Sequence, residues 1–169
     1  VANPLAMNLY VLGYDQNKNI TKANRAVKEN LKTYISHYRM LTDSINIRDA
    51  YVVNIQVNFD IIPLRDRNAN EVLLTCINAT KDHFNIDRWQ INQPIMISDI
   101  YNMLLTQPGV QTVTRVNILN LNDSSLGYSN IFYGIEQSTR NGIVYPSLDP
   151  MIFEVKFPDN DIKGRIATF

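Results

Sequence analysis

The stretch from Val52 to Leu119 contains a long run of alternating apolar and polar residues, and this run constrains the fold more than any other feature. Its apolar members are Val53, Ile55, Val57, Phe59 and Ile61, and its polar members are Asn54, Gln56, Asn58 and Asp60. Successive side chains of a β-strand point to opposite faces, so the pattern predicts a strand with one apolar face and one polar face. We predict a strand over residues 50–62 that ends at Pro63, since proline cannot donate to a neighbouring strand.

Shorter patterns precede this strand. A strand is predicted over residues 9–12, followed by a polar loop. Thr21 is placed to cap a helix over residues 22–38, because a hydroxyl at that point can accept a hydrogen bond from the first helical turn. Apolar residues recur at helical spacing along this segment, and lysines and arginines occupy the opposite face.

Two helices and a return strand are predicted after the long strand. Asn68 is placed to cap a helix that ends near Phe84, and Ser98 is placed to cap a shorter helix. Residues 110–119 form the return strand. The order is β-α-β-α-α-β, which predicts an α+β fold: a mixed or antiparallel sheet with helices packed on one face.

The character of the sequence changes after residue 120. Short apolar pieces are separated by turn residues, and Asn141-Gly142 favours a tight hairpin. We therefore predict two domains: an α+β domain over residues 1–120, and a β-rich C-terminal extension over residues 121–169. The extension packs either on that core or on a neighbouring subunit.

Composition excludes several classes of protein. The 169 residues carry 16 Lys plus Arg and 16 Asp plus Glu, so the formal net charge is zero. This balance argues against a dedicated nucleic-acid binder, which usually carries a basic field. The single cysteine allows no intrachain disulfide, and no apolar run has the length of a membrane span. Because the chain starts at Val1 and quickly enters a strand, we expect it to be the C-terminal part of a longer polypeptide.

No residue pattern predicts catalysis, a cofactor site or a metal site. The two histidines, His37 and His83, lie late in predicted helices, and Cys76 lies on an apolar helical stripe. Asp159-Asn160-Asp161 lacks the glycine and the distal glutamate of a calcium loop. Phosphate-binding and nucleophile motifs are absent from the sequence. We expect a protein that is not an enzyme and needs no cofactor.

Aromatic residues are concentrated in the last quarter of the chain. Six of them are candidate interface residues: Tyr128, Phe132, Tyr133, Tyr145, Phe153 and Phe157. Tyrosine and phenylalanine are enriched at protein interfaces. Two interpretations stay open at this point, because the same residues could instead cover the domain's own sheet.

The order of several segments resembles the C-terminal portion of baseplate J-like proteins, the wedge proteins of the inner baseplate ring of contractile phage tails. The matching segments are Asn8-Leu9-Tyr10-Val11, the helix that follows, residues 51–62, residues 94–100 and residues 108–113. Three tail segments, residues 144–150, 153–158 and 161–165, look like the end of the large baseplate wedge subunit of T-even-like phages. The long polar segment 85–93 departs from the spacing of smaller relatives.

This resemblance implies a structural role in a viral tail. It implies a homodimer that joins a ring in the assembled baseplate and contacts other baseplate wedge proteins and the tail hub, with no nucleic acid and no membrane among its partners. The implied location is the tail baseplate of the virion, and the host cytoplasm during assembly. The alternative function is a small-molecule-binding or regulatory α+β module, which would need a concave pocket with converging polar groups.

Overall fold

The computed structural model describes residues 6–38 and 44–168, which divide into two compact units. The first contains the described residues up to Tyr51, and the second contains those from Val52 onward. The elements of the first are β1 (Ala6–Val11), β2 (Gly13–Tyr14), β3 (Ile20–Thr21), α1 (Arg25–Ser36) and β4 (Ser44–Asp49). Those that follow are β5 (Tyr51–Pro63), α2 (Ala69–His83), β6 (Ile95–Met96), α3 (Ile97–Leu105), β7 (Val110–Leu121), α4 (Ile135–Ser138), β8 (Thr139–Arg140), β9 (Ile143–Val144), β10 (Met151–Glu154), α5 (Pro158–Asp161) and β11 (Ile162–Ile166).

The first unit is a β-α-β unit with a two-stranded parallel sheet. β1 pairs with β4 from Ala6↔Ser44 to Val11↔Asp49. Parallel neighbours need a crossover, and α1 supplies it and contacts β4. The helix is shorter than predicted and is capped by Asn24, whose side chain accepts from the N–H of Ala26 at 3.0 Å. The prediction that Thr21 caps it is wrong, because Thr21 belongs to the small β2–β3 pair.

The long strand β5 is the centre of the sheet in the second unit. β7 pairs antiparallel with it along Asn54–Pro63, and β11 pairs parallel with it along Val57–Ile61. β10 is its third partner. A strand has only two edges: β7 pairs along one edge of β5, and β11 pairs along part of the other. β10 therefore pairs with β5 outside the stretch that lies between β7 and β11. The sheet is therefore mixed, as the sequence predicts.

The predicted apolar face of β5 is buried, and Asn54, Asp60 and Ile62 of the opposite face are buried as well. The five apolar residues of the alternating run are each at most 1 % exposed. Two helices cover the sheet: α2 contacts β11, α3 contacts β7, and the helices contact each other. Burying a Val, Ile or Phe side chain contributes about 1.5–3 kcal/mol, so this face is the main source of stability for the unit. The predicted α+β class, with helices on one face of a mixed sheet, is confirmed.

The segment after residue 120 is part of the second unit, so the predicted boundary at 120 falls inside that unit. The segment contributes β10 and β11 to the sheet of β5 and a hairpin, β8–β9, that pairs with β6. Asn141 and Gly142 form the tight turn of this hairpin with positive φ angles of 53° and 74°, as the sequence predicts.

Two asparagines, the buried Asn54 and the half-buried Asn120, attach the segment that follows β7 to the sheet. Oδ1 of Asn54 on β5 accepts from the N–H of Ser129 at 2.7 Å. Nδ2 of Asn54 donates to Oε1 of Glu154 at 2.9 Å. Asn120 on β7 accepts from the N–H of Tyr133 at 2.9 Å and donates to the carbonyl of Asn54 at 3.0 Å. These bonds satisfy backbone groups of an irregular segment that would otherwise be buried without partners.

The start of α2 is fixed by a nearby side chain, whereas the start of α3 is fixed by a distant segment of the chain. Asn68 caps α2, as predicted, by accepting from the N–H of Asn70 at 3.1 Å. The predicted Ser98 cap is wrong, since α3 begins at Ile97 and Met96 precedes it without a side-chain cap. The N–H of Ile97, the first residue of α3, donates to the carbonyl of Gly142 at 2.9 Å, so the hairpin satisfies one of the free N–H groups of the first turn.

Candidate interaction surfaces

Four of the six candidate interface aromatics pack within their own unit. Phe153 is 2 % exposed and belongs to the core. Tyr133 packs against it edge to face, with 5.7 Å between ring centroids. Tyr128 packs against Phe157 in the same way, at 5.5 Å. These contacts support the interpretation that aromatic residues of the tail cover the unit's own sheet.

A hydrogen-bonded acid fixes the Tyr128–Phe157 pair. The hydroxyl of Tyr128 donates to Oδ1 of the buried Asp161 at 2.6 Å. Oδ2 of Asp161 accepts from the N–H of Phe157 at 3.1 Å. Burial, followed by the hydrogen bond to the Asp161 carboxylate, raises the pKa of Tyr128 to about 12, because both disfavour a phenolate. This cluster ties the turn before β11 to the segment after β7.

The other two candidates project from the surface. Phe132 is 77 % exposed and Tyr145 is 45 % exposed. Sequence reasoning missed two further exposed apolar residues in the same part of the chain, Leu126 and Leu148. Their only signal was an apolar residue inside a turn-rich segment, which is a weak one. Among the six predicted residues, Phe132 and Tyr145 are the ones available to a partner.

Helix α1 has apolar residues that the described part of the first unit, residues 6–38 and 44–51, leaves exposed. Val27 and Tyr34 of α1, with Tyr38 just after its end, form an exposed row, spaced seven and four residues apart, with exposed fractions of 58 %, 62 % and 76 %. The rings of Tyr34 and Tyr38 lie 5.2 Å apart. No residue of α1 is buried. We call these three residues the α1 row. The sequence stripe that contains them predicted core packing, but the sheet beside α1 has two strands within the described residues.

The opposite side of α1 forms a basic groove of about 650 Å³ with β4. Its cationic side chains are Lys22, Arg25, Lys28, Lys32 and Arg48, and its carboxylates are Glu29 and Asp49. Nζ of Lys28 lies 2.7 Å from Oδ2 of Asp49. The N–H of Ala23 also donates to Asp49, at 3.3 Å, so this acid holds the start of α1 against the end of β4. The sequence showed this cation cluster as an ordinary solvated helix face and did not place Arg48 beside it.

The polar face of β5 carries a chain of ion pairs across three strands. Asp60 accepts a two-point hydrogen bond from Arg165 on β11, at 3.2 Å and 2.9 Å, and forms an ion pair at 3.1 Å with Arg115 on β7. The hydrogen bond from Arg165 is the largest cause that lowers the pKa of Asp60, and the charge of Arg115 adds to it against the cost of burial. Arg165 and Arg115 are the residues that stand opposite Asp60 in the strand pairing, so the cluster joins the three strands.

Cys76 and His83, two of the residues considered for catalysis, are surrounded by packing contacts. Cys76 is fully buried, and burial raises the pKa of its thiol to about 11. The ring of His83 packs against Phe84 and Trp89, at centroid distances of 5.0 Å and 6.0 Å. Desolvation lowers the pKa of His83, against the opposing charges of Asp99 and Asp82. Among the described residues, no group of three or more His, Cys, Asp or Glu side chains is arranged to hold a metal ion.

The functional proposal for this chain rests on its sequence pattern and on the surfaces described above. No protein-family model matches the chain, and no curated protein matches it either. Within residues 6–38 and 44–168, none of the helices has both the length and the hydropathy that a membrane span requires.

Proposed function

We propose that this protein is a structural component of a contractile phage tail baseplate: a wedge subunit whose C-terminal domain dimerises and helps form the inner baseplate ring. It acts by contact with a second copy, with other wedge proteins and with the tail hub, and it catalyses no reaction. Its place is the tail baseplate of the virion, after assembly in the host cytoplasm. The order of sequence segments that resembles baseplate J-like proteins supports this proposal.

The α1 row is the structural observation that carries the proposal. An amphipathic helix normally buries its apolar stripe, whereas Val27, Tyr34 and Tyr38 are all more than half exposed. Tyrosine is over-represented among the residues that dominate interface energies, because its ring buries a large area at low entropic cost. A partner that covers this row would complete the packing that the first unit lacks. Phe132 and Tyr145 provide exposed apolar side chains for a separate contact of the second unit.

Sedimentation velocity over roughly 1–100 µM chain tests the proposal, since an obligate interface of about 2,000 Å² or more keeps subunits together at these concentrations. We expect a dimer or larger species. Replacing Val27 and Tyr34 together with serine should shift the chain toward monomer. Replacing Glu29 and Lys32 with serine is the matched control, because it alters the same helix equally and leaves the net charge unchanged.

A chain that stays monomeric over the whole range would contradict the proposed homodimer. If the chain does oligomerise, Phe132→Ser with Tyr145→Ser locates the interface. If this pair, rather than the α1 row, dissociates the oligomer, the second unit carries the contact. The baseplate assignment has its own test in the genes on either side of the reading frame, where we expect other tail and baseplate proteins. Neighbours with unrelated metabolic roles would contradict it.

A further inference from the structure

The basic groove of the first unit follows the edge of β4. Its strand lining consists of the four consecutive residues 46–49 and includes no residue of β1. Ile47 and Asp49 alternate with Asn46 and Arg48, so these residues belong to opposite faces of the strand. A cavity that touches both sets must lie along the edge of β4. Among the described residues, β4 pairs with β1 alone, which leaves the N–H and C=O groups of this edge available for pairing.

A row of cations stands beside this edge. Arg25, Lys28 and Lys32 follow α1 over about 10 Å at 1.5 Å per residue, and Lys22 extends the row beyond the start of the helix. Within the described part of the chain, Lys28 is the one cation of the groove that forms an ion pair. Lys22, Arg25, Lys32 and Arg48 are exposed, and among the described residues that line the groove Glu29 is the one carboxylate left to balance them.

We propose that the groove binds an extended acidic segment of a neighbouring protein, which pairs with β4 as an added strand. Alternate side chains of such a segment point toward the same side, and three of them span about 13 Å. The stretch of about 10 Å from Arg25 to Lys32 falls within this length, and Lys22 lies beyond the start of the helix. Main-chain hydrogen bonds to β4 supply affinity in this mode of recognition, and the position of the carboxylates supplies specificity.

The charge of the groove favours this occupant over a second copy and over a nucleic acid. Two copies of β4 paired edge to edge would bring two sets of the same cations together, and like charges opposite each other cost free energy. Single-stranded nucleic acid is usually held by aromatic side chains that stack on its bases. No aromatic side chain among the described residues lines the groove. A peptide with alternating carboxylates fits both the strand edge and the cations.

The inference rests on the proposed function only for the source of the segment, which would be another protein of the same assembly. Peptide binding to the groove is independent of the α1 row. A chain that binds the acidic peptide but never oligomerises would therefore refute the proposed homodimer and leave this inference intact. A dimeric chain that ignores the peptide would do the reverse.

Fluorescence anisotropy with a labelled six-residue peptide of alternating Glu and Val tests the inference on the full chain at low salt. The same peptide with Gln in place of Glu should bind at least fivefold more weakly. A version with methylated backbone nitrogens on the pairing edge keeps the charges but cannot form the strand, and it should also bind at least fivefold more weakly. A hexanucleotide of single-stranded DNA should compete poorly.

Charge reversal locates the site. Arg25→Glu with Lys32→Glu should weaken peptide binding roughly 5- to 30-fold, given the usual strength of exposed ion pairs. Arg140→Glu with Lys163→Glu changes the same number of exposed charges in the second unit and should change binding less than twofold. Circular dichroism confirms that each variant is folded. Equal loss in both double variants, equal binding of the methylated peptide, or DNA that competes as well as the peptide would overturn the proposal.

Discussion

Replacing Gly164 with alanine measures how tightly β11 packs beneath α2. Gly164 lies opposite Phe59 in the parallel pairing of β11 with β5. A Cβ atom at this position would lie 2.6 Å from Cζ of Phe59 and 2.7 Å from Cδ1 of Leu73 on α2. Carbon atoms in contact are normally about 3.5–4.0 Å apart, so the added methyl group would overlap both side chains by about 1 Å.

Two effects of opposite sign act in this variant. Glycine-to-alanine changes at unstrained positions stabilise proteins by about 0.4–1 kcal/mol, because they restrict the unfolded chain. Inserting a methyl group into a packed core costs about 1–3 kcal/mol, because neighbours leave their preferred rotamers or the backbone shifts. Phe59 is 1 % exposed, so its ring cannot move out of the way without displacing core neighbours or entering solvent. We therefore expect Gly164→Ala to lower the free energy of unfolding by about 1–2 kcal/mol.

Urea denaturation followed by tryptophan fluorescence gives the measurement, because the single tryptophan, Trp89, lies in the second unit. Gly134→Ala is the control. Its nearest contact is Oε1 of Gln137, the far end of a flexible side chain, so we expect a change within about 0.5 kcal/mol. In a Phe59→Leu background the cost of Gly164→Ala should fall, since the ring that it strikes is gone. A Gly164→Ala protein as stable as the parent would refute this account of the packing.

Three further predictions follow from the titratable groups. Asp60→Asn should remove a contribution to the free energy of unfolding that is complete above the ordinary carboxyl pKa of about 4 and is lost as the pH falls through the lowered pKa of Asp60, so the difference between parent and variant should shrink below about pH 4 in urea titrations. Tyr128→Phe should cost about 1–3 kcal/mol in the same assay at pH 7, because the buried Asp161 loses its hydroxyl donor; an unchanged midpoint would contradict this. Cys76 should react with a thiol reagent at pH 8 only as fast as the chain opens, and rapid modification of the folded protein would show that the thiol is accessible.

Local patterns predicted much of the second unit. The period of the alternating run determined which face of β5 is buried, because a strand turns successive side chains to opposite sides whatever its partners are. Asn68 capped α2 as predicted, since its bond reaches only two residues along the chain. Asn141-Gly142 formed its turn for the same reason, as both residues tolerate positive φ angles.

The candidate surfaces depended on contacts that the sequence does not encode locally. Periodicity identified the apolar stripe of α1 but not whether anything covers it, and the sheet beside it proved to have two strands. The composition of the last quarter of the chain gave six candidate aromatic residues, and the packing showed that two of them are exposed and four are internal. Arg48 joined the cations of α1 only because β4 runs parallel to β1 and returns to the same helix.

The sequence by itself determined the α+β class and the inward face of the central strand, because these properties depend on spacing over a few residues. Only the tertiary structure decided where the chain divides into two units, which apolar side chains stay in water and which cations share a groove. Those outcomes depend on how many strands stand beside each helix and on which distant segments meet, and both are set by the packing of the whole chain.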